Sequence, residues 1–140
     1  MTRAMRLCRL RDERGAAAVE FALTVPVLVL IIYGIFEFSQ LYWANAGIQH
    51  ALGEGARYAT LYDSSTTTHV PTDTNIKAKM DAKVFGPSGA TFTTTVTTPA
   101  SATCTNCRLL TVSYNRTMNF LFFTGPTISL SRSKQVYLAS

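Results

Sequence analysis

The chain has 140 residues, of which 47% are hydrophobic and only 15% charged, against about 25% charged in ordinary soluble domains. That length suits one domain with an appendage. The net charge of +5 does not point to nucleic acid, because it is concentrated at one end: residues 1–15 carry five arginines against Asp12 and Glu13, a net of +3, and the remainder of the chain nets only +2.

Arg3, Arg6, Arg9, Arg11 and Arg14 make residues 1–15 a basic leader. A basic block just ahead of an apolar segment stays on the cytoplasmic side during membrane insertion. Residues 21–36 follow without a single charge, and extending the stretch back to Ala16 adds only one acid, Glu20. Such a segment is long enough to cross a bilayer core, which takes about 20 helical residues. The expected organisation is a cytoplasmic leader at 1–15, a transmembrane segment at 16–38 and an extracytoplasmic domain at 39–140. Tyr42 and Trp43 lie just past the far end of the span, where amphipathic rings prefer the headgroup layer. Pro26 falls inside the span and is tolerated there as a kink. The alternative is a secretory signal cut after Ala44-Asn45-Ala46. Against it stand the length of the apolar core, the presence of Glu37 before that site, and the helical pattern that continues beyond.

That pattern is a three-or-four spacing of Leu41, Ala44, Ile48, Ala51, Leu52, Gly55, Ala59 and Tyr62. Gln40, Asn45, Gln49, Glu54 and Arg57 take the other face. Span and amphipathic stretch therefore form one helix over about residues 16–62, on the order of 70 Å long at about 1.5 Å per residue. Its lower half suits lipid, and its upper half offers an apolar stripe to a small domain. Gly47, Gly53 and Gly55 weaken a helix and also admit close neighbours; both readings stand for each of them.

After Tyr62 the composition changes. Residues 63–74 are rich in Ser and Thr, contain Pro71, and read as a loop. Residues 75–85 suit a short helix with Ile76, Met80 and Val84 on one side, capped by Thr72, Asp73 or Thr74 and ended by Gly86-Pro87-Ser88-Gly89. Three strands follow, at residues 90–98, 108–119 and 127–138, the last interrupted by a polar break. Their Thr and Val content suits a sheet with one wet face. The expected fold class is α+β: a long N-terminal helix, transmembrane in its lower half, packed on an antiparallel sheet of about three strands.

Cys104-Thr-Asn-Cys107 sits between the first two strands, in a hairpin position. Outside the cytoplasm the expectation is a disulfide closing a tight loop. Free thiols and a metal or redox site remain open, but a thioredoxin-like strand-to-helix context is missing, and neither His50 nor His69 is paired at ligand spacing. Cys8, in the leader, is expected to be unpaired. No phosphate loop and no nucleophile elbow are present. Asp63, Asp73 and Asp81 read as solvated, His50 as a surface histidine, and Asn115-Arg-Thr as a chance acceptor motif. The expectation is therefore a protein that is not an enzyme and holds no catalytic residue, cofactor or metal.

Glu20 is the residue that such a span does not need. An ionisable group in a membrane segment is costly and marks function by default. It belongs to the string Arg14-Gly15-Ala16-Ala17-Ala18-Val19-Glu20-Phe21. Gly15, with Glu20 as the fifth residue after it and an apolar helix beyond, resembles the type IV prepilin processing site. Residues 20–26, then Gly34-Ile35-Phe36-Glu37-Phe38, then Glu54-Gly55-Ala56-Arg57-Tyr58-Ala59, are similar to the TadE-like family, the pseudopilins of the tight-adherence (Flp) pilus system. The resemblance covers about residues 14–59. It implies a pilin-like fold and cleavage by a membrane prepilin peptidase between Gly15 and Ala16, with Ala16 as the new N-terminus, often methylated in such families. It also implies a carboxylate at Glu20 that pairs with the Ala16 ammonium of a neighbouring subunit and sets register. The implied partners are the peptidase, other pilins or pseudopilins, the inner-membrane pilus assembly platform and membrane lipid, with no nucleic acid. A minor role is favoured, because the major subunits of this system are much shorter. Two other readings compete: a single-pass anchor with an extracytoplasmic partner-binding domain and no leader cleavage, and a protein released by a cut at Ala46.

Overall fold

The architecture comes from a computed structural model that describes residues 2–61, 63–64, 67–99, 104, 106–120 and 123–138, with side chains from residue 15 onward. The side chain of Cys8 and the whole of Tyr62 lie outside the described residues. Helix α1 runs over Thr2–Ala59 and α2 over Asp73–Lys83, followed by β1 at Thr91–Thr97, β2 at Cys107–Phe120 and β3 at Phe123–Tyr137.

α1 is unbroken through Pro26 and extends the expected helix back into the leader. Residues 1–15 hold five arginines, two leucines and two methionines, all good helix formers, and no proline to stop propagation. The C-terminal end falls at Ala59, where Thr60 and Leu61 fold back as a turn through bonds to the carbonyls of Arg57 and Tyr58.

α2 is displaced two residues toward the N-terminus from the expected 75–85. Its start is fixed by Thr72, whose side-chain oxygen accepts from the Asn75 amide at 3.3 Å. Its end is fixed by Val84, which turns extended while its N–H still bonds to the Met80 carbonyl.

The sheet has the order β1-β2-β3, antiparallel throughout. Thr94 pairs with Val112 on one side of β2 and Arg132 pairs with Val112 on the other. A register shift at Thr117/Asn119 bends the β2–β3 ribbon near its tip. β1 and β2 fall within a residue or so of the expected ranges, whereas β3 begins at Phe123, four residues before the expected 127, and runs unbroken through the polar stretch because each residue there still pairs with β2. The period is clearest in Leu110, Val112 and Tyr114, which are fully buried on the face turned to the helices.

The core joins the outer half of α1 (Ala44, Ile48, Ala51, Leu52, Ala56 and Ala59) to Ile76 and Met80 of α2, to those three β2 residues and to Val136. The alanines on α1 bring backbone close to backbone. Gly47 and Gly55 continue this. A Cβ on Gly47 would overlap the Phe85 carbonyl oxygen, and one on Gly55 would overlap the Met80 side chain. Gly53 faces open space. The two readings of these glycines thus divide by position: two are packing sites and one is an ordinary weak point.

The lower half of α1 has no such cover. From Val19 to Phe38 most of its large apolar side chains are exposed. The stretch beginning at Gly15 is long and apolar enough to cross a membrane.

Candidate functional site

The exposed lower helix carries Gly15, Ala16 and Glu20. Residues 15–20 are all exposed, and nothing lies within 4 Å of the position a Cβ on Gly15 would take. Ala16 and Glu20 stand one turn apart on the same helical face. The hydroxyl of Thr24 donates to the Glu20 carbonyl at 2.7 Å, a local bond that leaves the Glu20 carboxylate uninvolved.

Above them, the β2–β3 ribbon descends along the helix. Leu110 Cδ1 lies 3.4 Å from the position of a Cβ on Gly55, and the Phe120 ring lies 6.3 Å from that of Tyr33. From Gly55 to Tyr33 the helix drops about 33 Å, and from Leu110 to Phe120 the strand spans about the same. β2 therefore runs nearly along the α1 axis and ends beside the apolar span. Between these two levels Arg116 Nη2 stands 3.5 Å from Glu37 Oε1, and Glu37 is only 3% exposed. The sequence marks Glu37 as an interruption of the apolar run and gives no sign of its partner, which lies on a strand far along the chain.

Tyr42 and Trp43 are exposed on the outside of α1. Tyr42 also borders a groove of about 270 Å³ lined by Phe38, Leu41, Asn45, Ile128, Leu130 and Arg132. Asn45 Oδ1 is buried without a hydrogen-bond partner, as is the Tyr114 hydroxyl.

Of the three outer-domain carboxylates expected to be solvated, Asp73 and Asp81 are exposed though ion-paired, and Asp63 is the one that corrects the expectation. Asp63 is 7% exposed. Its Oδ2 accepts from the Tyr58 hydroxyl at 2.7 Å and from Asn75 Nδ2 at 3.2 Å, and its backbone N–H bonds to the His69 carbonyl. A loop that must close back on the helix end needs its polar groups satisfied, and Asp63 supplies the acceptor. The bond to Asp63 holds the Tyr58 hydroxyl above the ordinary tyrosine value, with burial and the negative charge adding to it. Lys79 Nζ lies 5.4 Å from the Tyr58 ring centre. Asp81 is held by Lys77 at 2.6 Å and by the Thr94 hydroxyl, which ties α2 to β1. Burial pushes its carboxyl up, but the bonds from Lys77 and Thr94 outweigh this and leave it below the usual range. Asp73 pairs with Arg108 at 2.6 Å. His50 is exposed, with Nδ1 donating to the Lys83 carbonyl at 3.2 Å.

Cys104 and Cys107 lie with their Cα atoms 5.5 Å apart and their sulfurs in bonding contact. Cys107 opens β2, is fully buried, and pairs across to Tyr137. Among the described residues no group of three or more His, Cys, Asp or Glu side chains is gathered as a metal would require.

No curated protein and no solved structure matches the chain. The family model described as TadE-like protein matches residues 15–57, the part of α1 that carries Gly15, Glu20 and the apolar stretch long enough to cross a membrane; over those residues the chain is similar to TadE-like proteins.

Proposed function

We propose that the chain is a membrane-anchored minor pilin or pseudopilin of a tight-adherence (Flp-type) pilus or a related secretion apparatus, matured by a prepilin peptidase between Gly15 and Ala16. The observation that carries this is the placement of Gly15 and Glu20 at the foot of an exposed apolar helix whose outer half is the spine of a separate domain. In this reading the basic leader stays in the cytoplasm, the helix crosses the inner membrane and the α+β domain lies outside. Cleavage turns the Ala16 amide into an ammonium. In the apolar surroundings of packed helices, that cation and the Glu20 carboxylate of a neighbouring subunit satisfy one another. Removing either partner leaves a buried charge, at a cost of about 3–5 kcal/mol. Other pilins and the assembly platform meet the same exposed face.

A second reading, an uncleaved single-pass anchor, is favoured by one feature: α1 runs helical through Gly15, so a protease must first unwind the bond it cuts. Substitution separates the two. Because Gly15 faces open space, Gly15→Leu leaves the fold unstrained, so any change in maturation reports the peptidase. We expect the precursor to accumulate in membranes of the native host. Normal maturation of Gly15→Leu contradicts the peptidase assignment. Glu20→Ala is expected to mature yet fail to enter the assembly.

A further inference from the structure

We propose that the tip of the β2–β3 ribbon is a second membrane contact, and that Phe120 and Phe123 enter the outer interfacial layer of the same bilayer that α1 crosses. The inference rests on reading α1 as the membrane span.

The geometry sets the depth. Phe120 stands beside Tyr33, which is three residues inside the uncharged segment ending at Phe36. At about 1.5 Å per residue, that places the ring roughly 5 Å below the end of that segment. Tyr33 in turn packs near Phe36, with ring centres 6.2 Å apart. If α1 is in the bilayer, the ribbon tip has nowhere to be but at its surface.

The chemistry of the tip suits that place. Phe120 and Phe123 are stacked, with centres 4.8 Å apart, and Phe123 is left 57% exposed. The two residues between them in sequence are Leu121 and Phe122. Aromatic rings favour the interfacial layer, and apolar side chains of a peripheral segment reach about 5–10 Å into it. Deeper entry is barred, because β3 is an edge strand whose outer backbone groups have no partners in hydrocarbon. The register shift at Thr117/Asn119 and the Arg116–Glu37 pair lie just above, where the ribbon meets the helix. The occupant we assign is lipid, because the exposed Phe123 ring continues the exposed surface of the span itself: Ile32 and Phe36 on the helix are bare within one turn of Tyr33.

Depth-dependent quenching tests this on the full chain in lipid nanodiscs. The chain has one tryptophan, so Trp43→Phe gives a silent background. Into it go Phe123→Trp at the tip, Tyr137→Trp at the far end of β3 and Ile31→Trp in the span; all three sites are well exposed and accept an indole. We expect the indole at 123 to lose most of its emission to lipids brominated high in the acyl chain and little to aqueous iodide, with the indole at 137 showing the reverse. Iodide quenching at 123 equal to that at 137 overturns the proposal. An indole at 123 shielded from both quenchers also overturns it, since protein and not lipid then covers the tip. The indole at 31 keeps the two claims apart: lipid quenching there with none at 123 sinks the ribbon contact alone, and no lipid quenching at 31 sinks the membrane span and the ribbon contact with it.

Discussion

Arg116 on β2 and Glu37 on α1 form an ion pair at 3.5 Å, with the carboxylate almost wholly shut from solvent, and this pair clamps the ribbon to the helix just above the apolar span. Removing the cation leaves a buried carboxylate uncompensated. Arg116→Met is therefore expected to destabilise the domain by about 3 kcal/mol, and Glu37→Gln combined with Arg116→Met to recover much of that loss. Native-state hydrogen exchange of the β2 amides, on the full chain in detergent micelles, reads both. Equal loss in the single and double variants contradicts a paired charge.

Two glycines of one helix predict opposite signs. Gly53→Ala adds a methyl into open space and gains helix propensity, so it is expected to stabilise by up to about 1 kcal/mol. Gly47→Ala gains the same propensity but drives its methyl into the Phe85 carbonyl, and the cost of forcing the contact apart, about 1–3 kcal/mol, is larger. Thermal melts of the two variants should move in opposite directions.

The Tyr58–Asp63 bond makes stability depend on alkaline pH. The folded protein holds the Tyr58 proton more tightly than the unfolded chain does. Its contribution is thus complete below the unfolded value of about 10 and is lost as pH rises through the higher folded value. Tyr58→Phe is expected to remove that alkaline step and to cost about 1.5 kcal/mol at neutral pH, the low end for a bond to a charged group. Asp81 acts in the other direction: its carboxyl is lowered by folding, so its contribution is present above the ordinary aspartate range and fades as pH falls through the folded value. Urea titrations across pH check both limbs.

The Cys104–Cys107 bridge closes a very short loop, so its loss is expected to cost only about 2 kcal/mol on chain-entropy grounds. Alkylation of the unreduced protein from the native host should leave both cysteines unmodified. Reduction should weaken protection at the start of β2 without unfolding the sheet.

Much of this fold is legible in the sequence because it rests on local periodicity. Leu41, Ala44, Ile48 and Leu52 mark the buried stripe of α1, and Leu110, Val112 and Tyr114 mark the inner face of β2. The start of α2 is less sharply fixed, because Thr72, Asp73 and Thr74 are all capping residues and only the loop's path selects Thr72. The extension of α1 into the leader escapes notice because positive charge reads as topology and says nothing of helix. Least legible are the pairs that span elements. Neither Glu37 nor Arg116 has a local signal for its partner, and Asp63 looks like any loop aspartate until the chain closes on Tyr58 and Asn75. The ribbon tip is visible as an apolar string at 120–123, but its level against the membrane depends on how far β2 runs beside α1.

The central claim is that α1 acquires its functional N-terminus by proteolysis. The intact mass of the protein purified from its native host tests it most directly. The expected product is a chain beginning at Ala16, lacking residues 1–15, with the added mass of one methyl group where that terminus is methylated. A chain that keeps its leader, or one that begins after Ala46, contradicts it.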